Sequence, residues 1–120
     1  MKNLWTTIAV SNMEDSLNFY TTVLDLEIAN MMKPNEDIEI VFLCKGETKL
    51  ELIHNKHVKE ITYSGNVSTG FSIDSVDDYI EYLKTKNINI IEGPFQPNPH
   101  TKFFFINDPN GYKIQLVEQS

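Results

Sequence analysis

From Leu4 to Val10 the chain alternates: Leu4, Thr6, Ile8 and Val10 fall on one side, and Trp5, Thr7 and Ala9 on the other. That two-residue period predicts a strand. The period then lengthens. Met13, Leu17, Tyr20 and Leu24 recur at helical spacing, predicting an amphipathic helix over 13–24. Ser11 or Asn12 can cap it, and Asp15 stands in its first turn. "LEIANMM" (26–32) predicts a strand and "KPNED" (33–37) a turn. "IEIVFLC" (38–44) and "TKLELIH" (48–54) predict two strands joined by a hairpin around Gly46. The polar stretch over residues 56–65 reads as a connector.

The same order follows again. "VSTGFSI" (67–73) predicts a strand, and Ser75 caps a helix over 75–86 whose stripe is Val76, Tyr79, Ile80 and Leu83. "INIIEG" (88–93) predicts a strand and "PFQPNPH" (94–100) a loop, because its three prolines resist helix and ladder alike. "KFFFIN" (102–107) and "YKIQLVE" (112–118) predict strands joined by the turn "DPNG". There Pro109 presets φ, Asp108 can bond the backbone and Gly111 accepts a positive φ.

The chain therefore repeats itself. "IAVSNMEDSLNFY" (8–20) aligns with "FSIDSVDDYIEYL" (71–83) at an offset of 63, and "KLELI" (49–53) with "KIQLV" (113–117) at 64. Two βαβββ modules result, about 3–55 and 66–119, within a single domain over 1–120. The expected class is α+β, with a curled mixed sheet whose uncovered faces form a cup.

Composition narrows the partners. At 120 residues and net charge -7 the chain lacks the clustered cations that nucleic acid requires. Cys44 is its single cysteine, so no intrachain disulfide or thiolate zinc cluster forms; its apolar setting predicts a buried, inert thiol. No apolar run reaches membrane-span length, and the N-terminus is too short and polar for a secretory signal. The expectation is a cytoplasmic protein that engages neither membrane nor nucleic acid.

"TTIAVSNMEDSLNFYTTVLDLEI" and "INDPNGYKIQLVE" resemble the two signature ends of the vicinal-oxygen-chelate (VOC) superfamily, the glyoxalase, bleomycin-resistance and extradiol-dioxygenase group. The resemblance runs from about Trp5 to Glu118. It implies the paired-module fold and a homodimer. In the metal enzymes of that family four positions supply ligands, commonly His, Glu, His and Glu. These map to Trp5, Glu51, Ser68 and Gln115 of this chain, which departs from the pattern at three of the four. An indole has no lone pair to offer, and the Ser hydroxyl and Gln amide are weak neutral donors. No metal and no other cofactor is expected.

Strand parity supplies the candidate lining. Trp5 and Thr7 come from the first strand, Lys49 and Glu51 from the strand closing the first module, and Ser68 and Ser72 from the strand opening the second. Lys113 and Gln115 match Lys49 and Glu51 through the repeat, and Phe103 and Phe105 share one face of "KFFFIN". His100 stands in a loop that can border the cup, whereas His54 and His57 read as surface or satisfied histidines. Trp5 is either a stacking platform or a plug. Glu51 is either a general base beside an indole or a structural partner of Lys49 or Lys113. Two functions remain open: a protein binding a small planar or cationic molecule at a dimer interface, and a diverged lyase or isomerase of the glyoxalase group using Glu51.

Overall fold

The computed structural model describes residues 1–120. It divides into two compact units, Met1–Thr62 and Tyr63–Ser120. The first contains β1 (Trp5–Ala9), α1 (Met13–Leu17), a π-helical turn (Asn18–Val23), β2 (Ile28–Asn35), β3 (Ile38–Leu43) and β4 (Lys49–Asn55). The second contains β5 (Ser68–Ser72), α2 (Val76–Thr85), β6 (Glu92–Asn98), β7 (Thr101–Asn107) and β8 (Lys113–Gln119). Each unit is a βαβββ module, as the repeat predicts, and the class is α+β. The eight strands form two four-stranded sheets, ordered β1-β4-β3-β2 and β5-β8-β7-β6. In each, the first strand lies parallel to the last, and the remaining pairs are antiparallel.

Parity decides what each sheet buries. In the first unit Val41, Leu43, Leu50 and Leu52 point inward with Val10, Met13 and Tyr20. In the second, Phe104, Ile106, Ile114 and Leu116 do so with Val76 and Leu83 of α2. The intervening residues of the same strands are half-buried or exposed and make a second face in each sheet.

The helix expected over 13–24 is not one helix. After Leu17 the backbone widens, and the Leu24 N–H bonds the Phe19 carbonyl five residues back. The Thr21 hydroxyl donates to the Leu17 carbonyl at 2.6 Å, competing with the regular ladder. Phe19 and Tyr20 are both buried and meet edge to face at 5.0 Å. Ser16 takes an inner position, and Leu17, expected in the stripe, is left half-buried. By contrast α2 starts as expected, with the Ser75 side chain accepting from the Asp78 N–H; it ends at Thr85, and Asn87 just beyond takes φ 59°.

Two proline segments also depart from expectation. "KPNED" is mostly strand: β2 continues through Asn35, and Glu36 and Asp37 make the turn, with Asn35 Oδ1 accepting from the Asp37 N–H at 2.8 Å. "PFQPNPH" is not a loop, because β6 covers its residues to Asn98, while residues 88–91 of the expected strand lie outside it. Both β2 and β6 are edge strands with register shifts. An edge strand leaves some N–H groups outside the ladder, so proline is tolerated there.

The "DPNG" turn behaves as its residues demand. Asp108 is buried, and its Oδ1 accepts from the N–H groups of Asn110 and Tyr112 at 2.8 and 2.9 Å. Gly111 takes φ +100°.

Candidate functional site

The second faces of the two sheets carry the candidate residues. In the first unit Trp5 and Thr7 stand beside Lys49 and Glu51 in the β1–β4 register, with Thr7 opposite Glu51. The Thr7 hydroxyl donates to the Glu51 carboxylate. Phe42 of β3 lies opposite Glu51 on the other flank, and its ring meets the Trp5 indole edge-on at 5.2 Å. Trp5 nevertheless stays 46% exposed, so the indole is supported from one side and is not sealed in a core.

In the second unit Ser68, Gly70 and Ser72 face Lys113, Gln115 and Val117 in the β5–β8 register. Phe105 and Phe103 lie opposite Gln115 and Val117. Phe95 of β6 continues the row, with ring centroids 5.5 Å (Phe95–Phe103) and 5.7 Å (Phe103–Phe105) apart. Lys113 pairs with Glu92 at 2.8 Å, and its ammonium sits 4.4 Å above the Phe105 ring. Of the two lysines expected as partners of Glu51, Lys49 and Lys113, the second pairs with Glu92, and the side-chain bond that Glu51 makes is with Thr7.

The two faces correspond through the repeat, and two of their exchanges are coupled. Thr7 opposite Glu51 corresponds to Gly70 opposite Gln115. Where a threonine hydroxyl donates, the copy has a carboxylate. Where glycine leaves nothing to donate, it has an amide, whose oxygen lies 3.5 Å from where a Gly70 Cβ would stand. An uncharged group is the cheaper one to leave half-buried without a donor.

His100 is not brought to this face. It lies in the turn between β6 and β7, its N–H held by Asn98 Oδ1. Thr101 pairs with Gln119 at the far end of β8, about 13 Å from Gln115 at the usual strand rise. His57 is satisfied at the surface, with Nε2 3.0 Å from Asp37 Oδ2. Phe42, Phe95 and Glu92 are site-face residues that the sequence reading missed. Phe42 was accessible to it, being the repeat partner of Phe105 at the 63-residue offset. Phe95 was hidden by reading residues 94–100 as a loop, and Glu92 lay in the expected strand over 88–93, whose pairing with β7 no local pattern gives.

The donor set is poor for a metal. Trp5, Glu51, Ser68 and Gln115 provide one carboxylate, an indole that only donates, and two weak neutral oxygens. No cluster of three or more His, Cys, Asp or Glu side chains comes together with metal-binding geometry. These residues do not fit the tight divalent site of the metal enzymes.

Comparison with known proteins bears on this geometry. Residues 3–116 match the family model of the Glyoxalase/Bleomycin resistance protein/Dioxygenase superfamily. The chain belongs to this superfamily. Among its superfamily relatives, a lactoylglutathione lyase of Neisseria meningitidis serogroup A is 30% identical over 128 residues, covering 99% of this chain and 91% of that protein. The metallothiol transferase FosB of Staphylococcus epidermidis is 30% identical over 114 residues, covering 90% and 75%. Among solved structures, the trypanothione-dependent glyoxalase I of Leishmania major superposes with TM-score 0.84 at 23% identity, over 98% of this chain and 86% of that one. The antibiotic-binding protein TnmS3 of a Streptomyces superposes at 0.74 with 19% identity, over 100% and 97%. The superfamily fold thus accommodates both catalysis and binding, and only the site residues can separate them.

Proposed function

We propose that this superfamily member binds a small planar or cationic molecule on its open sheet faces, as a homodimer, without a catalytic metal. One observation carries the reading: three of the four positions that map to the family's ligands hold an indole, a hydroxyl and an amide. The indole has 46% of its surface exposed beside Phe42, which suits stacking against a planar ligand. Glu51, held by Thr7, supplies a fixed negative charge next to it.

The sole tryptophan is also the reporter. Titration with planar cationic compounds is expected to change its fluorescence with micromolar affinity, roughly -8 kcal/mol. Trp5→Ala should weaken binding by about 1–2 kcal/mol. Glu51→Gln should weaken cationic ligands and spare neutral ones. A fluorescence signal that no such compound perturbs, from a protein that Trp5→Ala unfolds, would make the indole a structural plug.

The lactoylglutathione lyase and metallothiol transferase relatives support a second reading, a diverged lyase of the glyoxalase group with Glu51 as general base. Glu51 is half-buried and accepts a hydrogen bond from the Thr7 hydroxyl, an arrangement that orients a carboxylate for use as a base. Turnover of a 2-oxoaldehyde–thiol adduct by chelator-treated protein, abolished by Glu51→Gln, would select this reading over binding.

A further inference from the structure

The fold does not explain Gly70. A glycine inside a strand weakens it, and commonly marks a bulge, a bend or the close approach of another group. The β5–β8 register runs from Ser68 to Ser72 without a shift, and Gly70 is not among the glycines with positive φ. Beyond its chain neighbours, a Cβ there would meet one atom within 4 Å, Gln115 Oε1 at 3.5 Å, an ordinary contact. Neither backbone geometry nor crowding requires glycine here, unlike at Gly111, where a Cβ would stand 2.7 Å from the Tyr63 ring. What Gly70 does is leave the Gln115 carboxamide uncovered.

The repeat shows what covers the equivalent group. Gly70 corresponds to Thr7 at 63 and Gln115 to Glu51 at 64, and the Thr7 hydroxyl donates to the Glu51 carboxylate. The Gln115 side chain has no such bond within its unit. It is half-buried, with Phe105 opposite on its other flank and Phe103 next along the same face. Phe95, 44% exposed, extends that row. The Phe105 ring already carries the Lys113 ammonium 4.4 Å above it, and Glu92 neutralises that lysine at 2.8 Å. A ligand cation over this ring would meet a like charge. The polar group that the face offers a ligand is therefore an uncharged amide, flanked by aromatic rings.

We propose that Gly70 and Gln115 form a specificity-determining subsite for the edge of a planar, uncharged ligand that carries a cyclic amide. The proposal rests on the reading of the open sheet faces as the ligand site, and names the ligand chemistry of the second unit. A cyclic amide presents a donor and an acceptor side by side. Its N–H donates to Gln115 Oε1 through the gap at Gly70, and the Gln115 amide donates to its carbonyl. Its ring packs against Phe103. A ligand that covers Gln115 without bonding it leaves a desolvated polar group unpaired, which is the source of the discrimination.

The test titrates the full chain with 2-quinolone, its N-methyl derivative and N-methylquinolinium, following the Gln115 side-chain amide and the β8 backbone signals by NMR. 2-Quinolone is expected to shift them saturably and to bind about tenfold tighter than the N-methyl derivative, which keeps the plane and loses the donor. Gln115→Met keeps the side-chain length and removes the amide. It should bring the two compounds to parity, whereas a steric effect of the methyl group would persist. Gly70→Thr rebuilds the pair of the first unit on an ordinary strand backbone, and should reduce 2-quinolone to the affinity of its N-methyl derivative. Equal affinity for the two compounds in the parent protein, a preference that survives Gln115→Met, or no response to either compound overturns the proposal. Trp5 fluorescence separates that failure from failure of the broader reading: N-methylquinolinium that perturbs the indole while the lactam shows no preference leaves the sheet-face site standing and removes the amide subsite.

Discussion

At Gly111 a single hydrogen atom decides the local structure. A Cβ there would stand 2.7 Å from the Tyr63 ring, on a backbone with φ +100° that L side chains rarely adopt. Tyr63 also meets Tyr112 edge-on at 6.1 Å, so the ring is held from two directions. Gly111→Ala is expected to destabilise by about 1–3 kcal/mol through backbone strain, with the clash added. Urea unfolding checks it. Adding Tyr63→Ala should recover the clash and leave the strain, so the two changes combine to less than their sum. Additive effects would show that Tyr63 is not what excludes the side chain. Cys44 is a second residue whose surroundings set its chemistry. Burial, with the Glu47 carboxylate nearby, pushes its thiol up, which agrees with the inert thiol expected from its apolar run.

At the scale of elements, the β2–β3 turn and the segment after β4 are tied by one carboxylate. Asp37 accepts from Lys56 Nζ at 2.9 Å and lies 3.0 Å from His57 Nε2. Lys56 and then His57 hold the Asp37 carboxyl below its ordinary value of 3.8. A carboxylate with a lowered value in the folded state stabilises fully above 3.8, and that contribution is lost as pH falls through the lowered value. Asp37→Asn should therefore lower the urea midpoint slightly at neutral pH, with the difference fading as the medium becomes more acidic than 3.8. A gap between wild type and variant that persists unchanged in acid would mean that the charge is not what ties the turn. The helices show the same local logic with different ends. Ser75 and Asn12 both cap through their side chains, yet α2 runs regularly for 10 residues and α1 for 5 before the π turn.

For the whole molecule the uncovered surfaces bear on the copy number. Edge strands and apolar residues remain uncovered in the single chain, including Met31 and Met32 on β2 and Phe95 on β6. An exposed edge with apolar side chains is a surface that soluble proteins normally cover. A homodimer is the expected cover, and light scattering at tens of micromolar, roughly assay concentration, should return twice the chain mass. A monomer at that concentration would count against the proposed homodimer. The molecule has no helix long and apolar enough to cross a membrane.

The amino-acid sequence alone determined the repeated βαβββ order, the α+β class, the superfamily and the "DPNG" turn. Period, cap and turn chemistry act within a few residues, and two halves of one chain can be aligned without coordinates. It also placed Phe103 and Phe105 on one face and Phe104 on the other, because strand parity is local. Tertiary structure decided what depends on neighbours from distant positions. Proline was accepted in β2 and β6 because those strands lie at sheet edges, which no local pattern records. The helix after Leu17 widened to place Phe19 and Tyr20 in the core together. Glu51 met Thr7, Lys113 met Glu92, and His100 was carried to the far end of its sheet. Pairing across strands is set by register, and register joins residues that the sequence leaves more than forty positions apart, as Thr7 and Glu51 are.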